Sequence, residues 1–151
     1  MSAGFRFESE WDVPCSREEL WRHVQHLLES EDPMIWWPSV HATESIPGRL
    51  SLRARSRFGY SLDFRLIHLE LEQPEQMSFA AEGDLAGHGV IRFQDRGCAQ
   101  TAMLIDWQVD TSRPWMRRTS WLLRPVFTLA HHRIMHEGER RFAGWVIDQS
   151  T

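Results

Sequence analysis

Apolar and polar residues alternate along most of this chain, and the period of that alternation divides it into elements. Phe5, Phe7, Ser9, Trp11 and Val13 alternate with Arg6, Glu8, Glu10 and Asp12, which predicts a strand with one buried and one solvated face. Pro14 ends it. Ser16 followed by Glu19 reads as a capping box, opening a helix whose Leu20, Trp21, Val24, Leu27 and Leu28 form one stripe. Glu31-Asp32-Pro33 stops that helix, with a short second helix through Met34 and Ile35 as one continuation. Trp36-Trp37-Pro38 follows. Two adjacent indoles cannot face the same way in a regular element, so at least one is expected to cap the edge of the core.

From Val40 the period is two. Leu50, Leu52, Ala54, Ser56 and Phe58 alternate with Ser51, Arg53, Arg55 and Arg57, and Gly59 breaks the run. Leu62, Phe64, Leu66 and His68 make the next inward face, while Ile67, Leu69 and Leu71 spoil the alternation and predict a bulge or a second packed face. Gln73-Pro74-Glu75 is a hairpin turn. Met77, Phe79, Ala81 and Gly83, then Gly87, Gly89, Ile91 and Phe93, then Thr101, Met103, Ile105, Trp107 and Val109, form three further inward rows separated by turns.

The last third changes period again. At about 100° per residue, Phe127, His131, Ile134, Gly138, Phe142 and Trp145 share one stripe, with His132, His136, Glu139 and Arg140 opposite. Trp115, Met116, Thr119, Leu122, Leu123 and Val126 are also helix-spaced, on a stripe rotated by roughly a quarter turn. With Pro125 between them, two helical pieces are expected, about 114–123 and 125–147, joined by a kink or break. Strand, one or two helices, about six strands and a long helix make a segregated order. That order predicts a single α+β domain over residues 1–151, with an antiparallel sheet whose apolar face receives the terminal helix.

Composition narrows the chemistry. Eight Trp and eight Phe stand against one Tyr, Tyr60, so the interior is either large or lined rather than filled. All 17 basic residues are arginine, which excludes lysine Schiff-base chemistry and the usual P-loop. The net charge of -4 gives no basic footprint for nucleic acid. Cys15 and Cys98 show no framework spacing, so a reducing cytoplasm is the default compartment. The sequence shows no signal peptide and no run of about 18 apolar residues, so no stable membrane insertion is expected.

Candidate polar groups are few. His132 and His136 have a zinc-compatible spacing, but Arg133 stands where a metalloprotease helix has Glu, and both fall opposite the apolar stripe, so no metal is expected. His131 lies on the stripe, either as a core histidine bonded to one neighbour or as a polar anchor or acid–base in a cavity. His68 carries the same two readings. Gly83, Gly87 and Gly89 lie between strands and suit close packing better than a phosphate loop. Cys98 lacks a visible activating partner, and no Gly-x-Ser-x-Gly elbow exists. Arg53, Arg55 and Arg57 make a charged row: a solvated face, an edge that resists pairing, or an attractor of an acidic partner.

The element order resembles the START-like superfamily, also grouped as SRPBCC proteins, with the helix-grip (birch-pollen-allergen-like) fold. The carrying residues are Val13-Pro14 before Glu18-Glu19-Leu20-Trp21, Trp36-Trp37-Pro38-Ser39-Val40, Gly83-Asp84, Gly87-His88-Gly89, the Thr101–Val109 alternation, and His131-His132 with Met135 and Gly138. The last group is similar to the terminal helix of bacterial members described as polyketide cyclase or dehydrase. The resemblance implies a curved antiparallel sheet of about seven strands wrapped around a long C-terminal helix, with an apolar cavity between. It places Phe64, Phe79, Ile91, Met103, Ile105, Trp107, Phe127, His131, Ile134 and Met135 on the cavity wall, with Trp37 near the mouth. It implies binding, and transport, of a small hydrophobic or aromatic molecule such as a lipid, polyketide or quinone, oriented by His131 and by Tyr60 or Arg65, with no cofactor. The alternatives are a cyclase or dehydrase working in the same cavity, and a protein delivering its ligand to a membrane or partner. Monomer and homodimer are both compatible with this reading.

Overall fold

The computed structural model describes residues 4–149. In chain order the elements are β1 (Phe5–Val13), α1 (Arg17–Glu29), β2 (Val40–Ile46), β3 (Arg49–Arg55), β4 (Ser61–Glu72), β5 (Gln76–Gly83), β6 (Leu85–Gly97), β7 (Gln100–Thr111) and α2 (Pro114–Gln149). The strands form one antiparallel sheet in the order β1-β7-β6-β5-β4-β3-β2. Strands β2 to β7 are each hairpin neighbours of the next, because short turns leave an antiparallel strand only that place to lie. β1 instead pairs with β7, Phe5 opposite Val109 and Val13 opposite Thr101.

Local chemistry sets the ends of α1. Ser16 Oγ accepts the Glu19 N–H at 3.2 Å, satisfying one of the four donors that a helix start leaves free. Leu20, Trp21, Val24 and Leu27 are buried along the predicted stripe. No second helix follows. Asp32–Trp37 is a turn closed by Ile35 N–H to Asp32 O and Trp37 N–H to Met34 O. The two indoles also differ from expectation. Trp36 and Trp37 stack on each other, centroids 5.0 Å apart, and both, partly buried, pack against the core. The rule that adjacent side chains diverge holds for regular elements, and this segment is not one.

A break in the β4–β5 register between Ile67 and Glu70 is the bulge that the spoiled alternation predicts. His68 sits in it at φ 53 and is exposed, so it lies outside the core and outside any cavity. Both cysteines are free, Cys15 buried and Cys98 exposed in the β6–β7 turn.

α2 is one helix of 36 residues rather than two pieces. Pro125 removes the donor for the Trp121 carbonyl, but Trp121 is 81% exposed, so this gap lies on the side where water can donate instead. The later stripe packs as expected, with Phe127, Ala130, Gly138, Phe142 and Val146 buried. The earlier stripe is only partly covered. Met116 is buried, but Leu122 is 60% exposed. Among the described residues no helix is long and apolar enough to cross a membrane.

The approach to α2 is stapled by Asp84. Its Oδ2 accepts the Asp63 N–H at 2.7 Å and the Arg113 guanidinium at 2.9 Å, and Arg113 also reaches the Ser61 carbonyl. Burial works against the Asp84 charge, but Arg113 and the Asp63 N–H outweigh it and hold the carboxyl below its usual range. Asp84→Ala should therefore cost about 2 kcal/mol, read as a lower urea midpoint with an unchanged slope.

Candidate functional site

The inner face of the sheet does not close on the helices. A cavity of about 260 Å³ remains between the strands, α1 and α2. Its position follows from strand parity: Leu50 and Leu52 on β3, Phe64 and Leu66 on β4, Met77 and Phe79 on β5, Ile91 on β6, and Met103, Ile105 and Trp107 on β7 all point to one side. Close approach at the floor needs Gly89, because a Cβ there would lie 2.9 Å from Trp107 Cβ and against the Phe79 ring. One end is lined by Trp11, Trp36, Trp37 and Phe142, whose rings meet edge-on or stacked. Gly138 makes room for them, since a Cβ would sit 2.8 Å from both Trp11 and Trp37. The other end is lined by Phe5, Tyr60 and Phe127.

Polar groups in the wall are mostly already bonded. Trp36 Nε1–H donates to the Pro33 carbonyl and Trp37 Nε1–H to the Ile134 carbonyl. Thr111 Oγ1 accepts the Arg113 N–H and lies 3.5 Å from Met116 Sδ. No Asp, Glu or Arg lines the cavity among the described residues. Tyr60 is held in its neutral form because burial pushes its phenol up, against a smaller opposing effect of Ser56.

His131 is the exception. It stacks on Phe7 with centroids 3.7 Å apart, and its Nε2 lies 3.3 Å from Trp107 Nε1. An indole N–H can only donate, so Nε2 must accept and the ring proton must sit on Nδ1. Burial, with a smaller contribution from His132, lowers the imidazole to about 3, so the ring is neutral at pH 7. Among the described residues Nδ1 is buried without a partner. Two other buried nitrogens, Arg17 Nε and Trp21 Nε1, share that condition, but neither lines the cavity. His131 thus offers the cavity a buried hydrogen-bond donor without a partner among the described residues.

The structure brings Trp37, Phe64, Phe79, Ile91, Met103, Ile105, Trp107, Phe127, His131, Ile134 and Met135 to this one cavity. Tyr60 joins them. Arg65 does not, because it pairs with Glu82 at 2.9 Å outside the cavity. Sequence reasoning missed the contribution of α1 and β3, and it missed Phe7, whose inward parity on β1 was visible but whose partner His131 was not. His132 and His136 are exposed, and no group of three or more His, Cys, Asp or Glu is placed to hold a metal ion among the described residues. Cys15 is inert by environment: burial, then the nearby Glu19 charge, pushes its thiol up to about 11.

No family model matches the sequence, and no curated protein matches it either. Solved structures do match over nearly the whole chain. The ZhuI aromatase/cyclase from Streptomyces sp. R1128 superposes with TM-score 0.71 at 10% identity, covering 98% of this chain and 96% of its own. A protein from Thermus thermophilus gives TM-score 0.69 at 16% identity, covering 97% and 100%. A START superfamily protein from Mycobacterium smegmatis gives TM-score 0.67 at 16% identity, covering 97% and 99%. Seven antiparallel strands held against one long C-terminal helix, together with these superpositions, lead to one conclusion: the chain has the START-like, helix-grip fold.

Proposed function

We propose that the protein binds a small hydrophobic or aromatic molecule in the cavity between sheet and α2. The observation that carries this reading is the cavity itself, about 260 Å³ of space left open in an interior rich in Trp and Phe. Interiors normally pack to the density of organic crystals, so an apolar hollow of this size is a sacrifice of stability unless something fills it. A ligand would gain roughly 25 cal/mol for each Å² of apolar surface removed from water. Nδ1–H of His131 would orient it by donating to a carbonyl or similar acceptor.

The rival reading is a cyclase or dehydrase, favoured by the aromatase/cyclase among the structural neighbours. Binding without chemistry is the better supported of the two. No carboxylate lines the cavity among the described residues, and the one histidine is neutral with Nε2 already accepting a bond. Native mass spectrometry of the purified protein, followed by extraction of what co-purifies, tests the binding reading. In parallel, Met135→Trp narrows the cavity and should weaken binding of a fluorescent apolar probe by about tenfold or more. An empty protein that binds no such probe, or a variant that binds it as well as the parent, would remove the basis for the proposal.

A further inference from the structure

Ala130 and Ile134 of α2 line the cavity and also border a second, open cleft of about 360 Å³. The cleft has a different chemistry. Arg55, at the end of β3, and Arg57, in the turn after it, face Arg133 and Arg140 from α2, with His132 and His136 beside them. Its one carboxylate, Glu137, is already engaged: Oε1 accepts the Ser39 N–H and Oε2 the Ser39 hydroxyl, each at 3.0 Å.

The convergence of four guanidinium groups sets this cleft apart, not their lack of ion pairs, which arginines such as Arg22, Arg92 and Arg117 share among the described residues. Arg6, Arg49, Arg53, Arg65, Arg96 and Arg113 each sit on a carboxylate. None of the four cleft arginines does so among the described residues; Arg133 lies over the Phe58 ring at 5.9 Å instead. The row on β3 and its turn splits at this boundary, with Arg53 on Asp63 at 2.7 Å and Arg55 and Arg57 free of such a partner. In a chain of net charge -4, four guanidinium groups gathered in one concavity against a single occupied carboxylate make a local field for an anion.

We propose that this cleft holds the phosphate of an amphiphilic ligand whose apolar part occupies the adjoining cavity. The inference rests on the cavity reading above and adds the head group to it. Phosphate suits the site better than carboxylate because its three terminal oxygens and double charge can use several guanidinium forks at once, whereas a carboxylate is spent on one.

Displacement of a fluorescent apolar probe by dissolved dodecyl phosphate, dodecanol and inorganic phosphate tests it. Dodecyl phosphate should compete about tenfold or more better than dodecanol at low salt, with the advantage shrinking as ionic strength rises. Arg55→Gln combined with Arg133→Gln should erase the advantage and leave dodecanol competition as it was. Equal competition by the two amphiphiles, or an advantage that survives in the double variant, would overturn the assignment of the cleft while leaving the cavity reading standing. Failure of both amphiphiles and of the probe itself would instead sink the cavity reading. Sedimentation with phosphatidate vesicles, without displacement by dissolved dodecyl phosphate, would overturn the proposal in favour of head groups held in a bilayer.

Discussion

Replacing Gly87 by alanine is expected to lower stability by about 3 kcal/mol or more. Gly87 lies within β6, opposite Ala81 of β5 and Val109 of β7. A Cβ built there lands on the Gln108 carbonyl oxygen and 2.9 Å from Val109 Cα. Both are backbone atoms of a paired strand, so no side-chain rotation relieves the overlap and the β6–β7 ladder must part. For a chain of this length the melting temperature should fall by about 10 °C. The same substitution at Gly144 is the control. That residue is helical and exposed, and nothing lies within 4 Å of a Cβ there. Alanine at Gly144 should stabilise by about 0.5–1 kcal/mol through helix propensity. A Gly87→Ala protein that melts with the parent would show that the two strands are not held as described.

Acidification should remove a comparable amount through His131. Its folded value of about 3 lies below the ordinary value of 6.5, so between these limits the unfolded chain takes up a proton that the folded chain refuses. Stability contributed by this group is therefore complete above about pH 6.5 and lost as pH falls toward 3. The slope is about 1.4 kcal/mol per unit, or about 2–3 kcal/mol by pH 4.5. Because other groups titrate in the same window, the quantity to measure is the difference in unfolding free energy between the parent and His131→Phe. That difference should shrink by this amount between pH 7 and pH 4.5. A difference that stays flat would mean that the imidazole is protonated or solvated in the folded protein, and the donor assigned to Nδ1 would go with it.

Periodicity carried most of the architecture, because strands and helices bury one face and declare it by spacing. The strand order from β2 to β7 was legible for a further reason: turns at Pro47-Gly48, Gly59, Pro74 and Gly97 leave successive strands no distant partner. The same parity showed the inward face on which Phe64, Phe79 and Trp107 converge, while the expectation that this face borders a cavity came from the family resemblance and not from spacing. Three things were not. The joint facing of Trp36 and Trp37 depends on a turn, which has no period. The continuity of α2 through Pro125 depends on where water can reach, and a stripe pattern is silent on that. The arginine cleft depends on residues 55–57 lying beside residues 133–140, a proximity created only by folding.

The pairing of β1 with β7 has a consequence for how the chain assembles. Arg6 meets Asp106 across the sheet, 100 positions further along the sequence. During synthesis the first strand emerges long before the strand that will hold it, and until then it has no ladder to join. Closing so large a loop costs entropy that no neighbouring hairpin repays in advance, so the hairpin-linked ribbon from β2 to β7 should form first and capture β1 afterwards. A nascent chain halted before β7 would expose the alternating Phe5, Phe7 and Trp11 face, which makes β1 dependent on prompt completion of the sheet.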